Sequence, residues 1–502
     1  MMRRPRAVVV TSLTLVLGGC ASVGEVSIVS SRPLADTSAD SEPADGATTA
    51  TPSTTVGEAP TTTAPSSLPL VDIDLADVMD IGRLAGLTDD DPLLAAAIAD
   101  IDEWAAEVLL GSYGIDDAPL TGGIHAGHPG REDAIPGCGE SETDPDDLRE
   151  YVALYCRGAD FVAVDASPDG LLGDLVDEHG PLTIAVVIAH EYGHAIQERI
   201  GALDLALPTV VTEQQADCRT GAWRGRAADG TSSLLRAGPD AVRAGLIALV
   251  NVRDPLGVAT TTPGGHGTAF DRVGAFQDGF DGGAPACVPL LEEPRELMPN
   301  EFTSLDDYLR GGDAPYDCTF DRDPECVPSW EFLGADLDEF WSLATDSTVT
   351  VLPSPGPPTS GAARDCPDAV VIDGAIEVCP LDSTVRFDES VVRPLYDEVG
   401  DFALGYLLGA AWTELVIAPG SVGAEEGSTE LLRDCLVGVW VADITTGRRR
   451  DPRRSSTVVT SPGDLDEAII TILTLDGEGG ADSVDRISAF RSGVLGGFEA
   501  CA

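Results

Sequence analysis

The sequence predicts an α+β fold, present in two copies along 502 residues. Three observations carry that expectation: a β-rich stretch folded about a turn, two long apolar helical stretches, and an internal repeat. The stretch "YVALYCRGADFVAVD" (151–165) places β-formers on both sides of Arg157-Gly158-Ala159-Asp160 and reads as a hairpin. "LTIAVVIAHEYGHAIQERIG" (182–201) has helical length and ends on Gly201, the residue type that closes helices in the left-handed conformation. "PTVVTEQQADCRTGAWRGRA" (208–227) reads as the next helix, with Thr212 as its expected N-cap. Helices beside a small antiparallel sheet make an α+β domain.

The repeat is read from four segments in the same order. "FDRVGAFQDGFDGGAPAC" closes at Cys287 and "VDRISAFRSGVLGGFEAC" closes at Cys501, with Asp-Arg, Ala-Phe, three glycines and the cysteine at matching offsets. Upstream, "CRTGAW" (Cys218–Trp223) matches "CLVGVW" (Cys435–Trp440), and "YCRGADFVAVD" is echoed by "VCPLDSTVRFD", which sets Cys156 against Cys379. Before these, "ADIDEWAAEVL" from Ala99 is echoed by "ADLDEFWSLAT" from Ala335. The expected domains are therefore residues 68–290 and 327–502, joined by a linker over 291–326. The repeat also narrows the cysteine pairing. Equivalent pairs are expected in both copies: Cys138–Cys156 with Cys366–Cys379, and Cys218–Cys287 with Cys435–Cys501. Cys318–Cys326 remains as a local bridge in the linker.

The N-terminal 67 residues are read as targeting and tether. Arg3, Arg4 and Arg6 precede a short apolar run, and Leu17-Gly18-Gly19-Cys20 resembles a bacterial lipobox. Residues 1–20 are thus expected to be a lipoprotein signal, with Cys20 the lipidated residue and the membrane anchor. Residues 21–67 are Ser, Thr, Ala, Pro and acids with few large apolar side chains. They cannot bury enough surface to offset chain entropy and are expected to form a tether of roughly 40 Å r.m.s. reach. The remaining ten cysteines, an even number, suit an oxidising extracytoplasmic compartment. The net charge of −55, with every one of the 30 basic residues an arginine, argues against nucleic acid or anionic lipid headgroups as partners.

The chemistry is concentrated in "AHEYGHAIQ" (189–197). His190 and His194 are four residues apart, so on a helix they share one face about a turn apart and can reach one metal ion. Glu191 stands beside His190, able to act on a water without being a ligand. This is the H-E-x-x-H arrangement of zinc peptidases. Gly193 in mid-helix costs about 1 kcal/mol relative to Ala and suggests close approach by another element. A catalytic zinc takes three protein ligands, and Glu213 in "TEQQADC" is the expected third. Asp217, four residues on, is the expected acceptor for the ring N–H of a ligand histidine.

"HEYGHAIQ" followed by "EQQADCRTGAW" and "HGTAFDR" resembles the bacterial neutral zinc metallopeptidase family, a zincin-like group, over about Cys138 to Cys287. The resemblance implies a zincin-like domain binding one Zn2+ through His190, His194 and Glu213, with Glu191 as catalytic base. The second copy is expected to be degenerate. It lacks histidine, "GAAWTELVI" (409–417) is set opposite "AHEYGHAIQ", and Glu430 and Asp434 are set opposite Glu213 and Asp217. His266, which opens "HGTAFDR", is lost near Gly480, and is expected to donate a hydrogen bond to the oxyanion formed during peptide hydrolysis. His125, His128 and His179 are assigned no role.

The expected activity is hydrolysis of a peptide or protein substrate outside the cytoplasm, with Phe161–Val164 aligning the extended peptide by strand addition. The reading from a different class is a surface binding or scaffold lipoprotein that keeps zinc without catalysis. In a third, the second copy regulates the first.

Overall fold

The computed structural model describes residues 67–501 except 83–90, 118–119, 140–142, 144–147, 150, 319–325, 344–348, 355–365, 367, 418–427, 446–451 and 476–481. The expected signal, lipidated Cys20 and most of the tether lie outside the described residues.

The fold is mixed α+β, with the sheets small and the helices dominant. Helix α1 (Pro92–Tyr113) starts on Asp91, whose carboxylate accepts from Leu93 and Leu94 N–H, and stops on Gly114 in the left-handed conformation. Strands β1 (Gly123–Gly127), β2 (Ala153–Cys156) and β3 (Phe161–Asp165) form one sheet in the order β1-β3-β2. The β2–β3 hairpin forms as expected, but β1 runs parallel to β3, so the sheet is mixed rather than antiparallel. This order also corrects the strand-addition expectation. β3 is the central strand, wholly buried, with both hydrogen-bonding edges occupied by its neighbours, so no peptide can pair with Phe161–Val164.

Helices α2 (Leu171–His179), α3 (Leu182–Arg199), α4 (Thr209–Asp229), α5 (Pro239–Asn251) and α6 (Ala269–Cys287) complete the first unit. Gly201 follows the end of α3 with φ +73, the left-handed closing residue that the sequence suggested. Thr212 does not cap α4. The helix already begins at Thr209, directly after Pro208, and the Thr212 hydroxyl donates back to Thr209 O at 2.7 Å.

Beyond α7 (Leu305–Arg310) the second half runs in a similar order with one strand more, β5: α8 (Ser329–Ser342), strands β4 (Thr350–Ser354), β5 (Val370–Ile372), β6 (Ile376–Cys379) and β7 (Thr384–Asp388), then α9 (Glu389–Glu398), α10 (Asp401–Val416), α11 (Ser428–Ile444), α12 (Asp464–Thr474) and α13 (Ser483–Gly496). Its sheet order is β4-β7-β6-β5, with β4 parallel to β7 and β6 antiparallel to β7. The same contacts recur in both halves. Trp223 Nε1 donates to Asp100 at 2.8 Å and Trp440 Nε1 donates to Asp336 at 2.7 Å, each tying a long helix to the helix that opens its unit. Helices α4 and α6 touch backbone to backbone, since a Cβ on Gly279 would lie 1.7 Å from Cys218 O. For α11 and α13 the corresponding distance, from Gly493 to Cys435 O, is 1.9 Å.

Five disulfides join the pairs named from the sequence: Cys138–Cys156, Cys218–Cys287, Cys318–Cys326, Cys366–Cys379 and Cys435–Cys501. Their presence suits an oxidising compartment. Among the described residues no helix is long and apolar enough to cross a membrane. One continuous apolar core runs through both halves, from Trp104, Ile188 and Trp223 to Phe402, Trp440 and Ile469.

Candidate metal centre

The site exists because α3 and α4 cross closely. Gly193 meets Ala216 at the crossing, where a Cβ on Gly193 would fall 2.8 Å from Ala216 Cα. That contact sets the face of α3 that carries His190 and His194 against the first turns of α4, which carry Glu213 and Asp217. The Cys218–Cys287 disulfide then fastens α4 to the end of α6.

His190 Nε2 lies 3.0 Å from Glu213 Oε2, and His194 Nε2 lies 3.5 Å from Glu213 Oε1. The two rings meet edge to face with centroids 4.9 Å apart. One donor atom from each of His190, His194 and Glu213 falls within 4.8 Å of the others, so this group can hold a metal ion. Glu213 and His190 are only 7% and 5% exposed.

The other ring nitrogens are fixed by neighbours. His190 Nδ1 pairs with Asp217 Oδ1 at 2.8 Å, the position expected of Asp217. Asp217 is itself clamped by Arg272, which donates from Nε to Oδ2 at 2.9 Å and from Nη2 to Oδ1 at 2.8 Å. His194 Nδ1 pairs with Gln197 Oε1 at 3.0 Å, and Gln197 Nε2 donates to Thr212 O at 2.7 Å. With each Nδ1–H given to an oxygen, both Nε2 atoms point toward Glu213.

His266 reaches the same carboxylate from the loop before α6, with Nε2 3.8 Å from Glu213 Oε2. Asp254 pins that loop by accepting the backbone N–H of His266 at 2.9 Å and of Gly267 at 2.8 Å. Glu191 follows His190 on α3 and is 8% exposed; its charge is felt at His194.

The electrostatics call for a cation. Burial opposes charge on His190, but the Asp217 and Glu213 carboxylates outweigh it and lift its pKa to about 10. Burial likewise opposes charge on His194, which Glu213 overrides. Burial favours the neutral acid of Glu213, yet the neighbouring His194, His266 and His190 hold it well below the usual carboxylate range. Asp217 is lowered too, against its burial, chiefly by Arg272. Two buried carboxylates thus face two imidazoles, and positive charge between them is favoured, whether protons or a metal supply it.

Three participants had escaped the sequence reading. Gln197 stands three residues after His194, a helical neighbour spacing, and Arg272 belongs to the Asp-Arg pair shared by both halves, so each left a signal. Asp254 left none. The histidines assigned no role lie elsewhere: His125 bridges Asp80 and Gly122 O, and His128 meets Ile81 O at 2.9 Å.

Comparison of the chain with protein-family models, curated proteins and solved structures finds no match.

The second half keeps part of the same hydrogen-bonded framework. Asp434 accepts from Arg486 Nε at 2.9 Å, just as Asp217 accepts from Arg272, but its other oxygen is taken by the Tyr406 hydroxyl. Trp412 Nε1 donates to Asp338 Oδ1 at 3.0 Å and Tyr192 donates its hydroxyl to Asp102 Oδ1 at 3.2 Å, each the fourth residue of its string, "GAAWTELVI" and "AHEYGHAIQ". In those strings Ala410, Ala411 and Glu414 take the places of His190, Glu191 and His194.

Proposed function

We propose that this chain is an extracytoplasmic zinc-dependent peptidase, tethered to the membrane through a lipid on Cys20, with its active site in the first unit and a degenerate copy of the same zincin-like domain behind it. The observation that carries the reading is the convergence of His190, His194 and Glu213 on one point with Glu191 beside them on the same helix. The donor set fits: two imidazole nitrogens and a carboxylate, each imidazole oriented by an oxygen at its other nitrogen, are zinc's preferred surroundings. Zinc held there supplies Lewis-acid polarisation of the scissile carbonyl and lowers the pKa of water.

The residues of the chain do the rest. Glu191 accepts the proton of the attacking water on a carboxylate oxygen and returns it to the departing amine nitrogen. His266, whose Nε2 lies 3.8 Å from Glu213 Oε2, donates from that nitrogen to the carbonyl oxygen as that atom gains charge. Asp217, locked by Arg272, keeps the His190 proton on Nδ1 and so keeps Nε2 free to bind. The degenerate-copy reading rests on Asp434 and Arg486, which pair as Asp217 and Arg272 do, while Ala410 and Glu414 take the places of His190 and His194 in the sequence.

The deciding experiment pairs elemental analysis with a peptide-library assay on the unsubstituted protein, His190→Ala and Glu191→Gln. One zinc per chain is expected, lost in His190→Ala. Glu191→Gln should keep the zinc and lower hydrolysis by about 10²- to 10⁴-fold. Zinc without hydrolysis in the unsubstituted protein would sink the enzyme reading in favour of a zinc-stabilised binding module. Absence of zinc in protein never exposed to chelator would sink both.

A further inference from the structure

A second group of ligating side chains lies in the other half of the molecule, far along the chain from the histidines. Asp401 opens α10, Asp464 and Glu467 occupy the first turn of α12, and Asp313 comes from the segment between α7 and α8. Carboxylate oxygens of Asp313, Asp401 and Glu467 lie within 4.8 Å of one another. Asp401, Asp464 and Glu467 are 6%, 5% and 6% exposed.

Backbone amides aim these side chains. Glu467 Oε2 accepts from Phe402 N–H at 2.7 Å, Asp401 Oδ2 from Ala314 N–H at 3.0 Å, Asp313 Oδ1 from Asp401 N–H at 3.2 Å, and Asp464 Oδ2 from Ser461 N–H at 2.9 Å. These bonds leave other oxygens over. Asp401 Oδ1 and Asp464 Oδ1 are buried and accept no hydrogen bond among the described residues. The charges acting most strongly on Asp464 and Glu467 are those of the other acids in the group, and Asp464 also feels Asp307. Arg310 lines the neighbouring cleft but is paired with Asp306 at 3.3 Å.

Carboxylates packed together away from water repel one another and lose hydration. Such an arrangement persists only when the charge is neutralised or coordinated. Helix N-termini offset part of this cost, but the orphaned oxygens still need a partner that accepts lone pairs. The donors are all oxygen, with no imidazole or thiolate, and that selects a hard cation over zinc. Calcium tolerates irregular oxygen shells completed by water, and a cleft of ≈ 410 Å³ lined by Asp306, Asp307, Asp313 and Ser461 gives solvent a way to the group.

We propose that the second unit binds one calcium ion through Asp313, Asp401 and Glu467, with Asp464 alongside, and that the ion fastens the segment before α8 to the N-termini of α10 and α12. This site is independent of the histidine site and does not require catalysis.

The test is equilibrium dialysis of radioactive calcium against the zinc-replete full chain, with thermal unfolding read in parallel. One calcium per chain with a Kd of about 1 mM or tighter is expected, the range of extracellular calcium modules. Calcium should raise the unfolding midpoint, and sodium chloride of equal ionic strength should not. Uptake should persist in His190→Ala. It should weaken at least about tenfold in Asp313→Asn, a half-buried position that tolerates change, and vanish in Glu467→Gln. Absence of stoichiometric uptake by the unsubstituted chain would overturn the proposal and leave a proton-sharing carboxyl cluster. Uptake unchanged in both variants, or a midpoint shift reproduced by sodium chloride, would overturn it as well, the latter as screening of a chain carrying −55.

Discussion

Asp217 accepts from His190 on one side and from Arg272 on the other, so a single buried carboxylate decides which imidazole nitrogen is free. Replacing it with Asn keeps the shape but removes the charge that holds the Nδ1 proton. Asp217→Asn is expected to weaken metal binding by about 10- to 100-fold, measured as zinc retention against a competing chelator. The H-E-x-x-H spacing and the Glu213–Asp217 spacing were both legible in the sequence, because each is a relation within one helix turn. Gln197 was legible for the same reason and was overlooked. Asp254 was not legible, because it serves His266 only through a loop whose path no local pattern fixes.

At the scale of elements, the β2–β3 hairpin shows a turn built around one side chain. Asp160 sits at φ +56 and gathers the Thr121 N–H at 2.8 Å, the Tyr155 hydroxyl at 2.9 Å and both Arg199 terminal nitrogens at 2.6 Å. Burial raises the pKa of Asp160, but the hydrogen bonds from Arg199 and Thr121 outweigh it and hold the value at about 2, below its ordinary 3.8. A depressed carboxylate stabilises the fold above its unfolded pKa, and that contribution is lost as pH falls through the folded value. Asp160→Asn is therefore expected to cost about 1 kcal/mol at neutral pH, with the difference from the unsubstituted protein shrinking as pH falls from 3.8 toward 2. Urea unfolding at several pH values measures it. The hairpin itself could be read from β-formers flanking Arg157-Gly158-Ala159-Asp160. The parallel strand β1 could not, because its pairing with β3 is non-local and "GIHAG" carries little β-propensity.

At the scale of the whole molecule the two halves are not beads on a string. Asp466, from the first turn of α12, accepts the Ala269 and Phe270 N–H groups at 3.0 and 2.9 Å, capping α6 of the other half. Arg243 donates to Leu473 O at 2.8 Å, Gln277 donates to Val484 O at 2.8 Å, and Phe270 meets Phe490 edge to face. The cap matters to the metal centre, because α6 carries Arg272. Asp466→Ala is expected to destabilise the protein by about 1–2 kcal/mol, as loss of a helix cap does, and to lower zinc retention in the same preparation. Chemical denaturation and elemental analysis read the two effects. A destabilised variant with zinc retention unchanged would uncouple the interface from the site.

Two things were determined by the sequence alone. Helix-scale spacings placed His190, His194 and Glu191 on one turn, and the repeat matched the cysteines into the five pairs that the fold brings together. Both are relations that a linear string records directly, as a period or as an offset. Tertiary structure alone decided that the α3–α4 crossing delivers Glu213 to those imidazoles, that the Tyr406 hydroxyl takes the second oxygen of Asp434, and that Asp313, Asp401, Asp464 and Glu467 meet. These depend on which faces turn toward each other across gaps of 19 to 154 residues. Close packing of glycine against backbone fixes those faces, and no local propensity encodes them.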